Sequence, residues 1–170
     1  MTAVETATTS LTEEQLGLLY QYTMEAYKTF QKFAEMLQNP LAATMFKQFA
    51  VDERDDRDLL EMKVASLGGK RGARATLGAD LQFSDILEGD LSYRESAEFL
   101  IARERTMARR VEELAKRAAP ADQNLLIYLL AVKRSHVVAL ERELALIRND
   151  SAWWKREDVE SRIIHGTRGE

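Results

Sequence analysis

The sequence contains no cysteine. That excludes disulfides, zinc–thiolate sites, iron–sulfur clusters and thiol catalysis. Proline occurs only twice in 170 residues, so few points force a helix to stop. No run approaches the ~18 consecutive apolar residues needed to span a bilayer, and no membrane partner is expected. Acidic and basic residues nearly balance at a formal net charge of −4. No segment gathers a sustained basic stripe with interleaved aromatics, so no nucleic-acid partner is expected either. Residues 1–11 read as a flexible Thr/Ala-rich tail without the charged and apolar regions of a signal peptide, and the expected compartment is the cytoplasm. What the chain does have is 45% apolar residues, enough for one sizeable core.

Four long amphipathic segments divide the chain. The first runs from about Thr12 to Gln38, opened by Thr12 and Gln15 at capping-box spacing. Asn39-Pro40 ends it and begins the second, because Asn is a good N-cap and proline is tolerated at the first helical position. The second reaches Leu67, where Gly68-Gly69 supplies a stop. From Gly68 to Leu91 the pattern breaks around Lys70, Arg71 and Arg74, then a short apolar piece, Phe83 to Leu87; this stretch is a crossover. Ser92 and Glu95 form another capping box that opens a third helix to about Ala118. Pro120 interrupts, Asp122 is a candidate cap, and a fourth helix continues to about Arg148. A short amphipathic tail, Ala152 to Ile164, follows. These spacings predict an all-α fold: an antiparallel four-helix bundle over 12–150, two hairpins joined by one long crossover between the second and third helices. Residues 151–170 form a short C-terminal helix and tail. That topology is ferritin-like.

Each helix carries an apolar stripe of alternating three- and four-residue steps, and each stripe is broken near its middle. The first holds Leu16, Leu19, Thr23, Ala26, Phe30, Phe33 and Leu37. The second holds Phe46, Phe49, Glu53, Asp56, Leu60, Lys63 and Leu67. The third runs through Ala97, Leu100, Glu104, Met107 and Val111, and the fourth through Leu126, Leu129, Lys133, His136 and Leu140. In antiparallel helices of equal length the midpoints coincide, so Thr23, Glu53, Asp56, Glu104, Lys133 and His136 are predicted to form one buried polar layer. The hairpins echo one another: each offers one group from its first helix and a pair three residues apart from its second.

From Ala26 to Leu60, with Phe46, Ala50, Glu53 and Asp56 at their spacings, the chain resembles the first hairpin of rubrerythrin-type ferritin-like proteins. Glu104 to Leu140 resembles the second, and the likeness extends from about Leu16 to Ile147. In that family a Glu from each hairpin's first helix and a Glu-x-x-His from each second helix hold two metal ions, usually iron. The resemblance thus implies metal ligation by Glu53, Asp56, Glu104 and His136. Three positions depart from the pattern. Thr23 replaces a carboxylate, the first Glu-x-x-His reads Glu53-Arg54-Asp55-Asp56, and the second begins with Lys133.

Buried charges must nearly cancel. Glu53, Asp56 and Glu104 against Lys133 leave two negative charges. Two divalent ions would overshoot by two; one ion, iron or manganese by its oxygen and nitrogen ligands, gives neutrality. No metal is also permitted, with the Lys133 ammonium bridging Glu53 and Glu104 in its place. Two functions follow: a ferritin-like protein with a degenerate core site, serving assembly or partner binding, or a metal-dependent oxidoreductase or iron-handling protein using a reduced, single-metal site. No catalytic residue or substrate is identified.

The remaining candidates read as structural. Lys63 is expected to pair at the surface, Glu25, Glu35 and Glu98 to face solvent, and Arg103 to Arg110 to form a helix exterior. Trp153 and Trp154 are expected to cap the bundle's open end or to anchor a homodimer, and His165 falls in the terminal segment.

Overall fold

The computed structural model describes residues 8–37, 39–68 and 75–149. Five helices occur there: α1 Glu13–Met36, α2 Pro40–Ser66, α3 Ser84–Glu88, α4 Tyr93–Arg117 and α5 Pro120–Asn149. Among the described residues the only β pairing is an isolated bridge between Thr9 and Ala118.

Local chemistry sets the helix ends. The Thr12 hydroxyl accepts the Gln15 N–H at 3.1 Å while the Gln15 side chain accepts the Thr12 N–H at 2.9 Å. Ser92 and Glu95 repeat this reciprocal box at 3.2 and 2.8 Å. Each box satisfies two amide groups that the first turn of a helix leaves without partners. The Asn39 side chain accepts the Leu41 and Ala42 N–H groups, and Pro40 takes the first helical position. At the far end of α2, Gly68 adopts φ +72°, a left-handed conformation that costs other residues about 1 kcal/mol or more.

The fourth long helix begins differently from expectation. Pro120 itself opens α5, and the Asp122 carboxylate does not cap it. One oxygen accepts the Leu11 N–H at 2.9 Å, and the group is ion-paired with Lys63. Lys63 therefore reaches a buried partner across the fold, not one at the surface. Thr9 and Leu11, placed in the tail by sequence, are tied down by that bond and by the Thr9 bridge. Thr9 donates to Arg117 O at 2.9 Å, and Ala119 donates to Thr9 O at 3.0 Å.

The chain packs as two hairpins, α1 on α2 and α4 on α5, with α2 also meeting α5. One core cluster joins them. Phe30, Phe33, Phe46 and Phe49 pack at centroid separations of 5.0 to 6.0 Å, and each such buried ring contributes about 1.5–3 kcal/mol. The stripes are buried almost throughout; Leu67, the last residue on the second, is exposed.

The described part of the crossover, residues 75–91, contributes to the core. Leu77, Leu81, Phe83 and Ile86 are buried, with Phe83 against Tyr22 at 5.2 Å. Arg103, expected on the exterior, is buried instead. Its guanidinium donates to Gln82 O and Asp85 Oδ2, each at 2.7 Å. Those bonds clamp the crossover to α4, and a partly buried arginine stem packs as an apolar rod. Lys70, Arg71 and Arg74 of the crossover, the segment expected to form a tail helix with Trp153 and Trp154, and His165 lie outside the described residues. No helix among the described residues is long and apolar enough to cross a membrane.

Candidate functional site

At mid-height the apolar core is replaced by ionisable groups from three helices. Glu53 and Asp56 come from α2, Glu104 from α4, and Lys133 and His136 from α5; all are 0–2% exposed. Residues three apart share a helix face, which is why one turn of α2 and one turn of α5 each deliver two groups. The structure brings these five together. Thr23 is also buried, but no hydrogen bond joins it to them among the described residues.

Lys133 is the hub of one half. Its ammonium is hydrogen-bonded to Glu53 Oε1, lies 3.5 Å from Asp56 Oδ2, and sits 5.4 Å from the centre of the Tyr22 ring. Burial opposes its charge, yet the Glu53, Glu104 and Asp56 carboxylates hold its pKa above the usual lysine value.

His136 is the hub of the other half. Its Nε2 is 2.9 Å from Asp52 Oδ2. Its Nδ1 faces Glu53 Oε1 at 3.6 Å and Glu104 Oε2 at 3.7 Å, beyond hydrogen-bond range. Phe49 lies against the ring at 4.2 Å and Phe30 edge-on at 5.5 Å. Burial would lower the imidazole pKa, but the bond to Asp52 and the nearby Glu104 and Glu53 raise it to about 9 in the absence of metal.

The carboxylates divide. Burial pushes Glu53 up to about 7 and Asp56 up to about 6, against the pull of Lys133. Glu104 is equally buried, but Lys133, His136 and the Tyr22 hydroxyl hold its pKa below the usual value; Tyr22 donates to Glu104 Oε1 at 3.2 Å. Three acids against one lysine is an excess of negative charge. Burial is the main cause of the two raised values, and repulsion among the carboxylates adds to it.

The layer also has polar atoms with nothing to bond. Glu53 Oε2, Asp56 Oδ1, Glu104 Oε2 and His136 Nδ1 are buried without hydrogen-bond partners, in a core where such atoms ordinarily are paired. One donor atom each from Glu53, Glu104 and His136 lies within 4.8 Å of the other two. Ligands at ~2.1 Å from a tetrahedral cation stand about 3.4 Å apart, and the two imidazole–carboxylate separations are close to that. The residues present therefore fit a single small divalent ion. Asp56 falls outside this trio; its carboxylate engages Lys133.

Two functional groups were not foreseen. Tyr22 lies beside Thr23, three residues past Leu19, just off the first stripe, and reads there as an ordinary aromatic. Asp52 lies off the second stripe and is part-exposed at 26%, so nothing in sequence separates it from the solvated acids Asp55 and Asp58.

No family profile matches the chain, and no curated protein matches it in sequence. Among solved structures it is similar to a hypothetical protein from Pyrococcus furiosus, with a TM-score of 0.67 at 20% identity over 81% of this chain and 90% of that one. At that identity the likeness is one of fold alone and carries no activity to this chain.

Proposed function

We propose that this chain is a ferritin-like four-helix bundle of the rubrerythrin kind, with a degenerate core site that takes one divalent metal ion, iron or manganese, in place of two. Glu53, Glu104 and His136 hold the ion, and Lys133 stands where a second would sit. The observation that carries this reading is the posture of His136. Asp52 engages Nε2, which leaves Nδ1 without a hydrogen bond and facing Glu104 Oε2, itself without a partner, and Glu53 Oε1, which also bonds Lys133. A bound cation would take the place of the Nδ1 proton. Metal-ligating histidines are held this way, by a carboxylate on the far ring nitrogen.

The charges agree. Glu53, Asp56 and Glu104 balance Lys133 plus one divalent ion, with neutral His136. A second divalent ion would have to displace or neutralise a lysine paired with two buried carboxylates, which costs several kcal/mol. Bound iron or manganese would supply one-electron redox chemistry. The chain's own residues orient the imidazole through Asp52, shield the site with Phe30 and Phe49, fix Glu104 through Tyr22, and hold Asp56 on Lys133. A cytoplasmic, homodimeric protein is part of this reading.

A second reading has its own support: the Lys133 ammonium already bonds Glu53 and reaches Asp56, so the layer is a metal-free ion-pair network and the bundle a binding module. Elemental analysis of protein purified without chelator, followed by Mn(II) titration, separates the two. One ion per chain supports the metal site. A folded, colourless protein that takes up none at millimolar Mn(II) leaves the ion-pair network.

A further inference from the structure

Away from the polar layer, a groove of about 510 Å³ lies between the start of α1 and the C-terminal half of α4. Its size falls in the range of small-molecule sites, roughly 300–1,000 Å³. The floor is apolar: Leu11 is buried, and Leu18 and Leu114 are half-buried against the core. The rim is cationic, with Arg109, Arg110 and Arg117 against one acid, Glu113.

The rim charges are not equivalent. Arg110 is committed to Asp80 at 2.9 Å, and Glu113 to Lys116 at 2.7 Å. Arg109 meets only the Thr106 hydroxyl, at 3.3 Å. Arg117 has no side-chain hydrogen bond or ion pair among the described residues. Two guanidinium groups are thus uncommitted, separated along α4 by about 12 Å at 1.5 Å per residue, with Leu114 between them. One cation at a time can reach a compact head group, and Glu113 disfavours a second negative charge on it. A planar monoanion matches the guanidinium fork, and an apolar chain matches the floor.

We propose that this groove binds an amphipathic monocarboxylate, an unbranched acyl chain lying over Leu11, Leu18 and Leu114 with its head on Arg109 or Arg117. The inference is independent of the metal site, which these residues do not touch.

Calorimetric titration of the full chain tests it, with decanoate below its micellar concentration as the probe and octanoate, acetate and inorganic phosphate alongside. Decanoate binds one per chain, and octanoate binds roughly tenfold more weakly for its two missing methylenes. Acetate and phosphate give no measurable heat. Removing both exposed arginines, Arg109→Gln with Arg117→Gln, weakens decanoate about tenfold through loss of a charge-assisted bond. At least one of the two single changes weakens it by about twofold or more, and Leu114→Gln weakens it as well. Metal uptake and the circular dichroism spectrum stay as in the parent protein. No decanoate binding, binding untouched by all three substitutions, or phosphate binding as tightly as decanoate would each overturn the proposal.

Discussion

Replacing Lys133 with methionine asks how much the buried layer depends on its one lysine. Methionine keeps the length and removes the charge, leaving Glu53, Asp56 and Glu104 without the ammonium that Glu53 and Asp56 contact. Removing one member of a buried ion pair costs about 3–5 kcal/mol. At 2–4 °C per kcal/mol for a chain of this size, that lowers Tm by about 6–20 °C near pH 8. The sign of the pH dependence follows from the titrating groups. In the metal-free parent, Glu53 is raised from 4.5 to about 7, Asp56 from 3.8 to about 6 and His136 from 6.5 to about 9. Each binds more protons folded than unfolded, so stability is greatest at about pH 4–5 and falls as pH rises through 9. Without Lys133 the acids rise further and stay protonated at pH 5, where the loss shrinks to less than half its value at pH 8. Calorimetric melts of chelator-treated protein at pH 5, 6.5 and 8 read this directly. A Tm deficit that is absent, or equal at all three pH values, would mean that the ammonium is not balancing buried carboxylates.

Three further perturbations probe separate parts of the site. Asp52→Asn removes the carboxylate behind His136 and should weaken Mn(II) binding by roughly 10–100-fold while the melting temperature moves little, as measured by titration and thermal denaturation. Lys133→Glu combined with Asp56→His restores a second ligand set and should raise uptake from one ion per chain to two by elemental analysis. Unchanged stoichiometry would place Lys133 outside the second position. Elsewhere, Glu143 is buried and accepts the Tyr93 hydroxyl, and burial raises its pKa to about 8. Glu143→Gln should therefore melt with the parent at pH 6 and above it at pH 9, where the parent must ionise a buried acid.

Helix boundaries were legible because their causes are local. A capping box or an Asn-Pro pair acts within three or four residues, so Thr12, Asn39 and Ser92 mark in sequence what they do in the fold. The polar layer was legible for a related reason: Glu53, Glu104, Lys133 and His136 interrupt stripes that are otherwise apolar, and helical periodicity states their depth. What escaped depends on partners distant in the chain. Asp122 reads as a cap until Leu11 and Lys63 are seen to converge on it. Arg103 reads as solvated until the crossover folds over it and offers the Gln82 carbonyl and Asp85. Asp52 has no stripe to interrupt; only the approach of α5 turns it into the support of His136. Tyr22 sits next to a stripe as an ordinary aromatic would, and its hydroxyl matters only because Glu104 arrives from the other hairpin.

The central claim, that Glu53, Glu104 and His136 converge on one cation while Lys133 holds the neighbouring place, is tested most directly by anomalous difference density from a crystal equilibrated with Mn(II). The account predicts a single peak per chain within bonding distance of His136 Nδ1 and an oxygen of each glutamate, with the lysine side chain still on Glu53. Two peaks, or none with His136 Nδ1 bonded to a protein carboxylate, would contradict it.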